Sequence, residues 1–164
     1  MISIDRLFDN PLYIGLVAAM LIVIAVIIHR TSKMPYVACD ALLTRAELKF
    51  YNQLRAVVPN HTAIMMKVRM GDIITCTDVQ WRAGWGPRIS AKHIDFVLID
   101  PITTVVKVAI ELDDSTHRTN SDRIKRDKFV NKAFEVAGVT LLRIPVQKYY
   151  DRNSLMRLVN ETMA

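Results

Sequence analysis

His93-Ile94-Asp95-Phe96-Val97-Leu98-Ile99 is joined by Asp100-Pro101-Ile102-Thr103 to Thr104-Val105-Val106-Lys107-Val108-Ala109-Ile110-Glu111-Leu112. Both runs are rich in β-branched residues, and the four residues between them are turn formers of hairpin length, so the spacing predicts an antiparallel pair. Side chains alternate along a strand, which puts His93, Asp95, Val97 and Ile99 on one face of the first run. The same rule groups Val105, Lys107, Ala109, Glu111 and Asp113 on one face of the second. Pairing centred near Thr103 sets Asp95 opposite Glu111, with Cβ atoms about 5 Å apart. Two facing carboxylates repel unless a cation, protonation or exposure relieves them. A hard divalent ion is the simplest compensator, and magnesium prefers a few carboxylate oxygens together with water and substrate phosphate. Plainer readings stay open beside this one: Asp113-Asp114 also reads as a strand terminus and turn, and Asp95 can pair with His93, Lys107 or an arginine.

Upstream of the hairpin, Thr44-Arg45-Ala46-Glu47 has the form of a capping box, and Leu48, Tyr51, Leu54 and Val58 recur at helical spacing, predicting a helix over residues 45–58. Residues 62–70 alternate as a strand, with Ile64, Met66, Val68 and Met70 on one face and Met65, Lys67 and Arg69 on the other. Residues 81–88 contain two glycines and a proline and read as a loop carrying Trp81, Arg82, Trp85 and Arg88. Such a loop suits base stacking and phosphate contact, and equally suits a lid over the edge of a core.

Downstream, Asn120-Ser121 can cap a helix whose apolar stripe is Ile124, Phe129, Val130, Ala133, Phe134 and Ala137, closed by Gly138. Lys125, Lys128 and Lys132 fall on one face of it, either a solvated face or a phosphate-contacting one. Residues 139–144 then read as a buried strand, and Asp151 or Asn153 opens a last amphipathic helix. The order of helix, strands, helix, strand, helix predicts an α/β fold, a mixed sheet flanked by helices.

The N-terminal quarter differs in kind. Residues 12–28, LYIGLVAAMLIVIAVII, carry no charge and are long enough to cross a membrane. Asp5, Arg6 and Asp9 give the leader the wrong charge for a cleaved signal peptide. The expected organisation is a short segment 1–11, a transmembrane helix 12–28, a linker 29–40 and a domain 41–164. Arg30 and Lys33 follow the apolar run, which places the C-terminal domain in the cytoplasm. Residues 1–40 hold three basic and three acidic residues, so the whole net charge of +6 lies in the domain and favours a polyanionic partner or an anionic membrane surface. The two cysteines, Cys39 and Cys76, are too few for a disulfide framework or a thiolate zinc site and fit a reducing compartment.

Ile94-Asp95-Phe96-Val97, Ile110-Glu111-Leu112-Asp113-Asp114 with Ser115 and His117, Arg126-Asp127, Gly138 and Leu142-Arg143 together resemble the bacterial family known as domain of unknown function 2726. More distantly they are similar to the very-short-patch-repair branch of the restriction-endonuclease-like, PD-(D/E)XK nucleases. The resemblance covers residues 42–158 and implies that fold and a metal-dependent hydrolysis of phosphodiester bonds, in DNA foremost, at the inner membrane of a bacterium. By position it implies Asp95 and Glu111 as ligands of Mg²⁺ or Mn²⁺. Asp113 stands where the superfamily places a lysine two residues beyond the glutamate, which makes Asp113 and His117 the candidates for a third ligand and a general acid or base. Glu47 matches a position that sometimes supports the metal, and Arg143, with Lys125, Lys128 and Lys132, is a candidate phosphate contact. The alternative is a catalytically silent member of the fold that binds nucleic acid or a protein partner at the membrane.

Overall fold

The computed structural model describes residues 11–31, 34–113 and 121–163. The chain divides after Asp40 into an N-terminal unit and a second unit, Ala41–Ala164. The first contains helix α1, Pro11–Thr31. Its 21 residues rise about 31 Å at 1.5 Å each, and with a mean hydropathy of 2.8 over its apolar window it is long and apolar enough to cross a membrane.

The second unit runs α2 (Arg45–Arg55), β1 (Ala63–Arg69), three short helices α3 (Met70–Ile73), α4 (Asp78–Arg82) and α5 (Trp85–Ser90), β2 (His93–Ile99), β3 (Val106–Asp113), α6 (Ser121–Ala137), β4 (Leu141–Pro145) and α7 (Arg152–Met163). The sheet order is β1-β2-β3-β4. The first three strands are antiparallel neighbours, and β4 joins β3 in parallel after the α6 crossover. This is a mixed sheet flanked by helices. One face is covered by α2 and α7 through Phe50, Leu54, Leu155 and Val159, which pack with Phe96, Leu98, Val108 and Ile110. The other is covered by Met70, Ile89, Val130 and Phe134, which pack with Ile94, Val97 and Ala109. Coverage on both sides explains why β3 is an unbroken buried run from Val108 to Leu112 instead of an alternating one.

Local chemistry sets the boundaries. Thr44 Oγ1 accepts from the N–H of Glu47 while Glu47 Oε2 accepts from the N–H of Thr44, a complete capping box at the start of α2. The hairpin turn is held by Asp100 Oδ1, which accepts from the N–H groups of Ile102 and Thr103, with Thr104 in a left-handed conformation. Gly138, at φ 69°, closes α6. Asp151 Oδ2 accepts from the N–H of Ser154 and caps α7.

Three expectations need correction. Residues 81–88 are not a loop: α4 and α5 occupy them, meeting at Gly84, whose φ of 94° makes the sharp turn between helices. Strand β1 does not keep one apolar face, because Ile64 and Met66 belong to the cluster under α2 whereas Val68 and Met70 belong to the cluster under α6. The change of side falls at Lys67, whose φ of 53° turns the backbone out of the β region. Strand β2 likewise breaks strict alternation, with Ile94 in the second cluster and Phe96 in the first. The helix cap assigned to Asn120 lies outside the described residues.

Candidate active site

The irregularity at Lys67 and Asp95 builds a polar cleft at one end of the sheet. The register pairs Val97 with Ala109 and Phe96 with Ile110, so one position further Asp95 stands across from Glu111. The Asp95 carboxylate is fixed from two sides: Oδ2 accepts from the backbone N–H of Leu112 at 3.0 Å, and Oδ1 accepts from Lys67 Nζ at 2.8 Å. The same ammonium donates to Glu47 Oε1 at 2.7 Å, so a residue of α2 is bound to the sheet through one cation. Burial pulls the Lys67 ammonium toward its neutral form, but the hydrogen bonds and charges of Asp95 and Glu47 outweigh it and hold its pKa above the ordinary value. Burial likewise raises the Glu47 carboxyl, and the contacts from Lys67 and Thr44 overcome it, leaving a net depression.

Glu111 is the anomalous group. It is 9% exposed, and its Oε1 has no hydrogen-bond partner among the described residues. Burial, reinforced by the negative charge of Asp95, pushes its pKa up to about 7, against the opposing pull of Arg143 and Arg126. A buried carboxyl titrating near neutrality, with an unsatisfied oxygen beside a cleft, is a common signature of a functional group.

The cleft has a volume of about 450 Å³, and its charged lining combines Glu47, Asp95 and Glu111 with Lys67, Lys92, Arg123 and Arg126. Among the residues expected to act together, Glu47, Asp95 and Glu111 therefore meet at one site. Asp113 does not line it. Its Oδ1 accepts from Arg143 Nη1 at 2.6 Å, and Arg143 also reaches Asn131 Oδ1 at 2.7 Å and Asp127 Oδ1 at 3.4 Å, so this pair ties β3 and β4 to α6. Lys125 and Lys132 form exposed pairs with Asp122 and Glu135 within α6, and neither they nor Lys128 line the cleft. His117 lies outside the described residues.

Among the described residues no three His, Cys, Asp or Glu side chains converge tightly enough to hold a metal unaided. Magnesium, however, is commonly bound by one or two carboxylates, completed by water and phosphate oxygens. Asp95 with the unpartnered Oε1 of Glu111 is a donor set of that kind. The residues missed in the sequence are Lys67, Lys92 and Arg123. Lys67 carried no compositional signal, whereas Arg123 and Arg126 continue the buried Val130 and Phe134 stripe back by whole turns of helix.

Residues 39–163 match the family model described as "Protein of unknown function (DUF2726)", and the chain belongs to that family. No curated protein matches the chain, and no solved structure does.

Proposed function

We propose that this chain is a membrane-anchored, metal-dependent nuclease of the restriction-endonuclease-like class, hydrolysing phosphodiester bonds of nucleic acid, with DNA as the first candidate. The observation that carries the reading is the pairing of a fixed carboxylate, Asp95, with a buried one whose Oε1 is unpartnered among the described residues, Glu111, across two antiparallel strands at a cleft also lined by Lys92, Arg123 and Arg126. The element order supports it too: a helix, three antiparallel strands, a crossover helix and a parallel strand agree with the resemblance of the motifs. Helix α1 would hold the domain at the inner face of a bacterial membrane, an orientation favoured by Arg30 and Lys33 after the helix and Asp5 and Asp9 before it.

Asp95 and Glu111 would hold Mg²⁺ or Mn²⁺. When bound, such an ion supplies Lewis-acid activation of water and neutralises charge developing at the phosphodiester. Lys67 and the Leu112 N–H hold the Asp95 carboxylate in one orientation, which removes reorganisation from the reaction. Glu111 Oε1, buried at the cleft and free of protein hydrogen bonds among the described residues, would complete that donor set from the second strand. Lys92, Arg123 and Arg126 in the same cleft would neutralise phosphate charge.

A silent member of the same fold is the second reading. It is favoured by Asp113, which occupies the position of the superfamily lysine and is bound to Arg143, so no cation stands two residues beyond Glu111. Incubation of the full chain in neutral detergent with single- and double-stranded DNA and RNA, in Mg²⁺, Mn²⁺ or EDTA, separates the two. Metal-dependent cleavage that disappears in Glu111→Gln is the expected result. Binding without cleavage would leave the silent module.

A further inference from the structure

The positive charge beside the acidic pair is organised differently from the rest of the basic surface. Lys92 precedes β2, and Arg123 and Arg126 lie one turn apart on α6, yet all three converge on the cleft that contains Glu111. Arg123, Arg126, Val130 and Phe134 recur at i, i+3, i+7 and i+11, so the two arginines prolong the face of α6 that packs on the sheet. Lys125, Lys128 and Lys132 are on the other side of the helix.

Pairing differs as well. Lys125 and Lys132 each have an acidic neighbour within their own helix. Among the described residues no carboxylate lies within 4.0 Å of the cationic nitrogens of Lys92, Arg123 or Arg126. Lys92 Nζ is instead held by the Arg88 carbonyl at 2.7 Å and lies 5.0 Å from the Phe129 ring centroid. Burial and the nearby charges of Arg126 and Arg88 push the Lys92 pKa down. Like charges gathered without a close ion pair are stabilised by an anion, and a row of phosphates satisfies several at once.

We infer that Lys92, Arg123 and Arg126 form the binding site for the nucleic-acid backbone, and that the lysine stripe of α6 does not. The inference takes its ligand class from the nuclease reading and adds which face of α6 meets the strand. With the acidic pair and the three cations lining one cleft, phosphates flanking the scissile bond sit on the arginines while that bond lies over Asp95 and Glu111. These contacts go to phosphate and carry no base sequence.

Fluorescence anisotropy tests this with the full chain in neutral detergent, 5′-labelled single- and double-stranded DNA, and EDTA present so that no cleavage occurs. Arg123→Gln/Arg126→Gln is expected to weaken binding about tenfold near 0.1 M salt and to flatten the log K against log salt slope by about 1.4–1.8, the release of roughly two phosphate contacts. Lys125→Gln/Lys128→Gln/Lys132→Gln is expected to change affinity by less than about twofold, since its phosphate contacts are absent. Arg126→Gln alone, at an exposed position, gives about half the slope change and guards against misfolding of the double variant. An equal or larger effect in the lysine triple overturns the inference. So does a wild type that binds neither oligonucleotide but is retained on phosphatidylglycerol-containing micelles through Arg123 and Arg126, which would make the patch a lipid-headgroup site. Oligonucleotide bound through the arginines but never cut in Mg²⁺ sinks the hydrolase reading and leaves this one standing. Cleavage indifferent to Arg123→Gln/Arg126→Gln does the reverse.

Discussion

Lys67 Nζ lies 2.8 Å from Asp95 Oδ1, and the residue that makes this contact is one of two non-glycine residues with positive φ among those described. A lysine in the left-handed region costs about 1 kcal/mol or more, so the surrounding structure must hold it there. What it gains is a cation between two partly buried carboxylates, Asp95 and Glu47, at the point where β1 changes faces. The strain and the site coincide.

Replacing that cation tests its role. Lys67→Met leaves Glu47 and Asp95 facing each other without compensation and is expected to destabilise the domain by about 1–3 kcal/mol. Divalent ions should then raise Tm more in Lys67→Met than in the wild type, because they no longer compete with an ammonium for the Asp95 oxygens. Thermal melts with EDTA, Mg²⁺ and Mn²⁺ read both effects. A variant as stable as wild type in EDTA would remove Lys67 from the account of the site.

Glu111 gives a pH signature. Its folded-state pKa is raised from an ordinary value near 4.5 to about 7, so between those values the folded state binds more protons than the unfolded one. Stability from this group therefore falls as pH rises from about 4.5 to 7 and is level above that, a loss on the order of 3 kcal/mol. Glu111→Gln cannot ionise. In EDTA it is expected to match the wild type near pH 4.5, to exceed it at pH 8, and to lose this slope. Urea denaturation across pH 4.5–8 decides; parallel curves for the two proteins would contradict the buried carboxyl.

The elements that were legible in the sequence are those specified by neighbours in the chain. Thr44 and Glu47 announce α2 because both partners of the capping box are three residues apart, and the β2–β3 hairpin follows from two β-branched runs around a turn. Thr77 and Gln80 carry the same kind of box at the start of α4, a signal passed over because Gly84, Gly86 and Pro87 beside it read as loop. The Asp95 and Glu111 pair was legible because the hairpin turn fixes the register that sets these two residues across from each other, whereas Asp113 turns to Arg143. Lys67 was not, since a positive φ in a lysine has no signature in composition and depends on tertiary contacts from α2 and β2. The lysines of α6 drew attention over the arginines because an i, i+3, i+7 run of like residues is conspicuous, while the side of the helix that meets the sheet is settled only by packing at Val130 and Phe134.

Two glycines carry different constraints. A Cβ at Gly86 would lie 2.1 Å from the Trp81 ring, so Gly86→Ala forces α4 and α5 apart and is expected to cost about 1–3 kcal/mol. Gly138 has open space around it but a φ of 69°. Gly138→Ala should therefore cost about 1 kcal/mol through backbone strain alone, and Gly138→Asn less, because asparagine tolerates the left-handed region. Chemical denaturation of the three variants checks the ranking.

Arg143 links the fold to the electrostatics of the site. Its guanidinium joins Asp113 of β3 to Asp127 and Asn131 of α6, a fork that lysine cannot reproduce. Arg143→Lys and Arg143→Gln are both expected to destabilise, by about 1–3 kcal/mol for the loss of charged hydrogen bonds, with lysine the milder. They differ at Glu111, whose pKa the Arg143 charge holds down. Arg143→Gln removes that charge while the negative Asp113 remains, so Glu111 should titrate still higher and the pH at which stability levels off should move above 7. Arg143→Lys keeps the charge and should move it little. Carbon-13 NMR titration of the glutamate side chains, with Glu111 assigned by its absence in Glu111→Gln, measures the shift. An unmoved Glu111 in Arg143→Gln would mean that burial alone sets its proton affinity.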